Sequence, residues 1–233
     1  MHSHSGEFCP GHAKDSLEAI IQHAIGLGYK TMALTEHMPR TSLSDLYPEE
    51  LTPDPQTSLA ALMPRHLSFL TESLRLRSVY ASKIHILIGF EGEWIREGFA
   101  ELVTSLAADA RVDFFIGSLH HTCGIPIDFD RDMYASARDA AGGTERELWG
   151  RYYDEQVGML RSLKPRVVGH FDLIRLLSEN PERNVREWEE VWEKVVRNLE
   201  IVKEYGGWLE CNTSALRKEL GEPYPARGIA EVR

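Results

Sequence analysis

The stretch "KIHILIGFE", residues 83–91, decides the fold. Ile84, Ile86, Leu87, Ile88 and Phe90 make a short, nearly continuous apolar run that reads as a strand buried on both faces. Such strands belong to parallel sheets covered by helices. The run ends on a carboxylate, Glu91. Working outward, "KTMALTEH" (30–37), "VDFFIGSLH" (112–120), "PRVVGH" (165–170) and "GWLECN" (207–212) read the same way. Helical spacing fills the intervals at 15–28, 57–82, 98–109, 145–164 and 184–206. In the first of these, Asp15 or Ser16 suits the start and Gly26 and Gly28 the end. In the last, Trp188, Val191, Trp192, Val195, Leu199 and Val202 share one broad face. Strands alternating with helices imply an α/β fold. The opening residues are the tail of a further strand in this reading.

The chain has 233 residues, enough for one large domain with a sizeable core. Against 36 Asp+Glu stand 26 Lys+Arg, a net charge of −10. That sign argues against nucleic acid or an anionic membrane surface as partner. It leaves room for a small phosphorylated substrate met by a few local arginines. Cys9, Cys123 and Cys211 are far apart and form no C-x-x-C pattern, which fits free thiols in a reducing cytosol. No stretch is apolar enough to span a bilayer and the start lacks a signal-peptide layout, so a cytoplasmic location is expected.

Metal-ligating residue types recur at the strand ends: His2-x-His4, Glu36-His37, Glu91, His120-His121 and His170. In a parallel barrel those ends converge on one face. In an open sheet the outer strands lie too far apart to share an ion, so a barrel is the expected form. Imidazole and carboxylate are ordinary ligands for zinc, iron and manganese. On an extended chain residues i and i+2 face one side, so His2 and His4 can grip one ion. Taken singly, each has a plainer reading. A terminal H-x-H is usually nothing, His37 can cap a helix, Glu91 and Glu93 can be solvated, His120-His121 can lie in a polar turn, and His170 can be a hydrogen-bonded core histidine. Their joint placement favours a metal site. His23, His66 and His85 fall inside elements and read as structural. Spacing alone leaves His12 undecided. Arg40 and Arg175 follow His37 and His170 closely and are candidates to fork onto phosphate oxygens, a surface arginine being the alternative.

The H-x-H, "LTEHMPR", "IGFEGEW", "GSLHH" with "GIPIDFD", "VVGHFDLIR" and "ECNTSALRKELGEPYP" together resemble the histidinol-phosphatases of the PHP (polymerase and histidinol phosphatase) superfamily, nearest the monofunctional fungal-type branch. The likeness runs along essentially the whole chain. It implies a single domain, 1–233, folded as a distorted (β/α)7 PHP-type barrel. It implies two to three divalent ions (Zn, Mn or Fe) and hydrolysis of L-histidinol phosphate to L-histidinol and phosphate in histidine biosynthesis. The metal ligands it implies are His2, His4, His12, His37, Glu91, His120 and His170, so the likeness assigns His12. A metal-bound hydroxide held by Glu91, His37 and His120 is the implied attacking group. Arg40, Arg175, His121 and Asp128 are the expected substrate contacts, with Asp130 a second acidic candidate beside Asp128. The family's closing Asp-x-His pair has no counterpart before Arg233, and only Met1 precedes His2. A barrel lacking its last strand and clipped at its first is therefore expected, with homo-oligomers favoured by the open edges. Two alternatives follow: a PHP-type phosphoesterase for another small phosphoester, and a weakly metal-binding inactive remnant.

Overall fold

In a computed structural model, the structure describes residues 2–51 and 54–232. They form two compact units. The first runs up to Gly92 and takes in Val103–Ile116; the second comprises Glu93–Leu102 and the residues from Gly117 onward.

In the first unit, helix α1 (Leu17–Gly26) starts where the Ser16 hydroxyl accepts a hydrogen bond from the Ala19 amide. It buries Leu17, Ile21 and Ala24, one stripe at helical spacing. Strand β1 (Thr31–His37) pairs in parallel with β2 (His85–Glu93), from Thr31 beside His85 to His37 beside Glu91. Helix α2 (Pro55–Val79) begins on Asp54, whose carboxylate accepts from the Gln56 and Thr57 amides, with Pro55 at its first position. Its Leu62, His66, Phe69, Leu70, Ser73 and Leu76 are buried. Phe69 and Leu70 join Leu17, Ile21, Met32, Leu34, Ile86 and Ile88 in one core. Each large apolar side chain so buried stabilises the fold by roughly 1.5–3 kcal/mol.

Gly89 shows how tightly this unit is built. A Cβ there would stand 2.7 Å from the carbonyl oxygen of Phe114, on strand β3 (Phe114–Ser118). That backbone cannot yield without breaking its place in the sheet. Gly89→Ala is therefore expected to destabilise the protein by about 1–3 kcal/mol, read as a lower urea midpoint with an unchanged slope.

The second unit has its own core, centred on helix α5 (Glu145–Leu163) and helix α6 (Glu189–Tyr205). Thr144 and Glu147 cap α5 reciprocally. Just before it, Gly142 has φ +132°, and a Cβ there would meet the Glu147 carboxylate at 2.5 Å, so the loop leading into α5 needs its glycine. Between the helices, the buried Asn198 amide donates to Tyr153 O and Gln156 Oε1. Within this unit the last residues of β3 neighbour β6 (Val167–Val168), Gly169 N–H donating to Gly117 O. Strand β6 pairs in parallel with β7 (Trp208–Leu209). A hairpin and a helix after β3 are new beside the sequence reading. A hairpin joins β4 (His121–Thr122) to β5 (Ile125–Pro126), turning on Cys123 and Gly124, both at positive φ. Helix α4 (Arg131–Ala141) follows, capped by Asp130, which accepts from the Met133 amide. Helix α3 (Phe99–Ala107) and the short helices α7 (Ser214–Arg217) and α8 (Arg227–Ala230) complete the elements named here.

The α/β alternation and the parallel pairings are those expected. The strand anticipated to end at His2-x-His4 is a correction: these residues carry no strand ladder. Ser3 instead ties the segment to β1 through side chains, its amide donating to Thr35 Oγ1 and its hydroxyl to Ala33 O. No helix among the described residues is long and apolar enough to cross a membrane.

Candidate metal centre

The β1–β2 register sets His37 beside Glu91, and Met38 N–H fixes it by donating to Glu91 O. The Glu91 side chain is 1% exposed and is the hub of the first unit's cluster. Its Oε2 lies 3.1 Å from His2 Nε2, 3.5 Å from His4 Nε2 and 3.2 Å from His37 Nδ1. The His4 and His37 rings stack, centroids 4.4 Å apart and 11° from parallel. Glu36 anchors the opening segment: its Oε1 accepts from Ser5 N at 2.8 Å and Ser5 Oγ at 2.6 Å, and its Oε2 faces His4 Nδ1 at 3.5 Å. His12 sits at the edge, its ring 5.0 Å from that of His37 and its Nε2 3.2 Å from Glu49 Oε1. The hydrogen bond from His12 holds the Glu49 carboxyl below its ordinary range.

Three imidazole nitrogens around one carboxylate oxygen are a set of nitrogen and oxygen donors in little space. Zinc, iron and manganese take such sets, each lone pair meeting a cation rather than a proton. The residues present therefore fit a divalent ion held by His2, His4, His37 and Glu91.

The second unit carries another histidine cluster. Glu93, wholly buried, stands 3.4 Å from His120 Nδ1 and 3.0 Å from His121 Nδ1. Burial alone would raise its carboxyl, but the hydrogen bonds from the two imidazoles outweigh it and hold the group well below its ordinary value. With Nδ1 tied to Glu93, His120 turns Nε2 to within 3.1 Å of His170 Nε2. A carboxylate behind an imidazole fixes ring orientation and raises its basicity as a ligand. His170 N–H donates to Glu210 Oε2 at 3.0 Å, and Asn212 braces the same oxygen at 3.1 Å.

Beside the first cluster opens a cleft of about 530 Å³, counting its open mouth, lined by Cys9, His12, His37, Arg40, Glu49 and His66 among others. The Arg40 guanidinium is buried there, paired with Glu50 and packed 4.9 Å over the Tyr47 ring. Cys9 is 8% exposed; burial first, then the Glu36 and Glu91 charges, push its thiol up to about 12.

His66 is buried against Phe90, and burial first, helped by Arg111, lowers its pKa from 6.5 to about 4. The unfolded chain binds a proton there that the native one refuses. Stability from this group is thus lost as pH falls from about 6.5 to about 4. The loss reaches roughly 3 kcal/mol. His66→Gln is expected to flatten that part of the profile in metal-free protein, measured as urea midpoints at neutral and acid pH.

Two expected site residues, Arg175 and Asp130, have other partners. The Arg175 guanidinium is spent inside the second unit: Nε lies 3.1 Å from Asp172 Oδ2, and Nη2 donates to Glu222 O and Pro223 O at 2.6 and 2.7 Å. Burial raises Asp172 to about 6 despite that arginine. Asp130 is a helix cap, whereas Asp128 is half-buried. The expected ligand and substrate sets leave out three carboxylates that brace the clusters, Glu93, Glu210 and Glu36. Glu93 was available from its i+2 spacing to Glu91. Glu210 was available from the strand-end rule, since it follows β7. Glu36 was visible as a strand-end acid, but its grip on Ser5 needs the fold.

The PHP domain family matches residues 1–214. The chain belongs to that family. This PHP chain is 40% identical over 99% of its length to a probable histidinol-phosphatase of Schizosaccharomyces pombe, spanning 74% of that protein. It is 32% identical, again over 99% of its length and 77% of the relative, to a histidinol-phosphatase of Saccharomyces cerevisiae. The crystal structure of a histidinol phosphatase from Listeria monocytogenes, described as putative, superposes with TM-score 0.80 at 26% identity, over 98% of this chain and 87% of the other. A Lactococcus lactis histidinol phosphate phosphatase, complexed with zinc, L-histidinol and phosphate, shares the fold at TM-score 0.64 and 18% identity, over 91% of this chain and 72% of that one. The fold is thus the PHP type anticipated.

Proposed function

We propose that this PHP protein is a phosphoric monoester hydrolase that splits L-histidinol phosphate into L-histidinol and phosphate. The observation that carries the reading is the near full-length relation to the fission-yeast histidinol-phosphatase, met by clustered histidines and carboxylates of metal-binding type. In the reaction a water oxygen bonds to phosphorus, the P–O bond to histidinol breaks, and the departing oxygen gains a proton.

His2, His4, His37 and Glu91 hold one divalent ion in this proposal, and His120 and His170 hold another, with His12 at the margin of the first. Zinc is the ion best supported, being the one bound in the lactococcal enzyme. Such ions, when bound, neutralise phosphate charge and lower the pKa of water toward neutrality. The chain's own residues do the rest. Glu93 orients His120 and His121. Glu36 and Ser5 pin the histidines of the opening segment. Arg40, at the cleft wall beside His37, offers its guanidinium to phosphate oxygens. Asp128 and His121 are assigned to the polar part of the substrate. Arg175 positions: it locks the segment after His170 to residues 222–223 and leaves no guanidinium edge for phosphate.

The test is turnover of purified zinc-loaded protein on histidinol phosphate, nucleoside monophosphates and p-nitrophenyl phosphate. Preference for histidinol phosphate in kcat/KM supports the reading. A stronger preference for a nucleotide moves the substrate class, and no turnover of any phosphoester removes the enzyme.

A further inference from the structure

We propose that Cys9 is a metal ligand, completing with His4 and His37 a face of one sulfur and two nitrogens that favours zinc over manganese. One donor atom from each of these three residues lies within 4.8 Å of the other two. Beside them stands the buried Glu36, whose Oε2 makes no hydrogen bond and faces His4 Nδ1 at 3.5 Å. A carboxylate kept from water and turned toward a cluster of soft donors is costly unless a cation meets it.

The local chain explains how the sulfur arrives. Ser5 is held by Glu36, and Cys9 N–H donates back to Ser5 O at 2.7 Å, curling the segment after the H-x-H so that residue 9 returns beside residue 4. Nearby, Gly6 has no room for a side chain, a Cβ there meeting the Ala13 carbonyl at 2.6 Å, so the curl is sterically fixed. Thiolate is a soft ligand that suits zinc, whereas manganese prefers oxygen. On ligation the thiol gives its proton to solvent through the neighbouring cleft, and one thiolate with the Glu91 carboxylate balances the charge of the divalent ion that His2, His4 and His37 also hold in the proposed site. Cys123 and Cys211 lie outside this cluster, which makes them internal controls.

The inference rests on the metal-dependent reading above, and its test separates the two. Cobalt-loaded wild-type protein is expected to show a sulfur-to-cobalt charge-transfer band, lost in Cys9→Ser and kept in Cys123→Ser and Cys211→Ser. Zinc-edge X-ray absorption of a Cys123→Ser, Cys211→Ser protein is expected to show a sulfur neighbour at about 2.3 Å, and this measurement leaves Cys9 intact. Equal exposure to zinc and manganese should load mainly zinc in wild type, with that bias lost in Cys9→Ser. No sulfur neighbour, or a band that survives Cys9→Ser, overturns the inference even where zinc binds and histidinol phosphate is turned over. Failure to bind any ion overturns both readings together.

Discussion

Glu91→Gln is expected to slow hydrolysis of histidinol phosphate on the order of 10³-fold, the scale seen when one preorganised charge-stabilising group is removed from an active site. The substitution keeps the shape of the side chain. It removes the negative charge around which His2, His4 and His37 gather at 3.1–3.5 Å. It also replaces an accepting oxygen by a donating NH2, which faces the imidazole nitrogens without a lone pair to offer a cation. The loss should appear in kcat/KM together with a lower ion content by elemental analysis, while circular dichroism stays that of the wild type. A Glu91→Gln protein with wild-type turnover would remove Glu91 from the proposed site.

Glu93→Gln tests a different part of the design. Glu93 is assigned to no ion; it holds His120 and His121 through their Nδ1 atoms. Loss of such a supporting carboxylate costs about 10–100-fold in metal affinity. Activity of this variant should fall by a similar factor at limiting zinc and recover as zinc is raised. Glu91→Gln, which loses a ligand, should not recover fully. A Glu93→Gln protein that titrates with zinc as the wild type does would show that the two histidines are oriented by other contacts.

How far these sites were legible depended on the distance over which each contact acts. The strand-end rule located His37, Glu91, His120 and His170 because the direction of a parallel strand fixes which end carries the site, and apolar runs reveal strands. Glu93 reads from the sequence only as a solvated charge, because a second Glu beyond an apolar run usually faces water. Its partners become apparent only when Glu93 and the residues after β3 come together within the second unit. Arg175 shows the opposite failure. An arginine five residues after a ligand suggests phosphate binding, yet Asp172 and the carbonyls of residues 222 and 223 claim it, and the latter lie far along the chain. Asp130 reads equally well as a substrate contact or a helix cap, and the decision needed α4, a helix that buries only Tyr134 and Ala137.

The sequence by itself determined the α/β alternation, the strand ends that carry histidine or carboxylate, and the family. Each of these is written in local periodicity or in short motifs. The tertiary structure alone decided the β1–β2 register that sets His37 against Glu91, the curl that returns Cys9 to His4, and the pairing of Glu93 with His120 and His121. These depend on side chains distant in sequence or on one register among several, and hydrophobic burial selects the register without leaving any mark at the polar residues it brings together. "KIHILIGFE" thus foretold a buried strand ending on a carboxylate; the fold made that carboxylate the hub of three histidines.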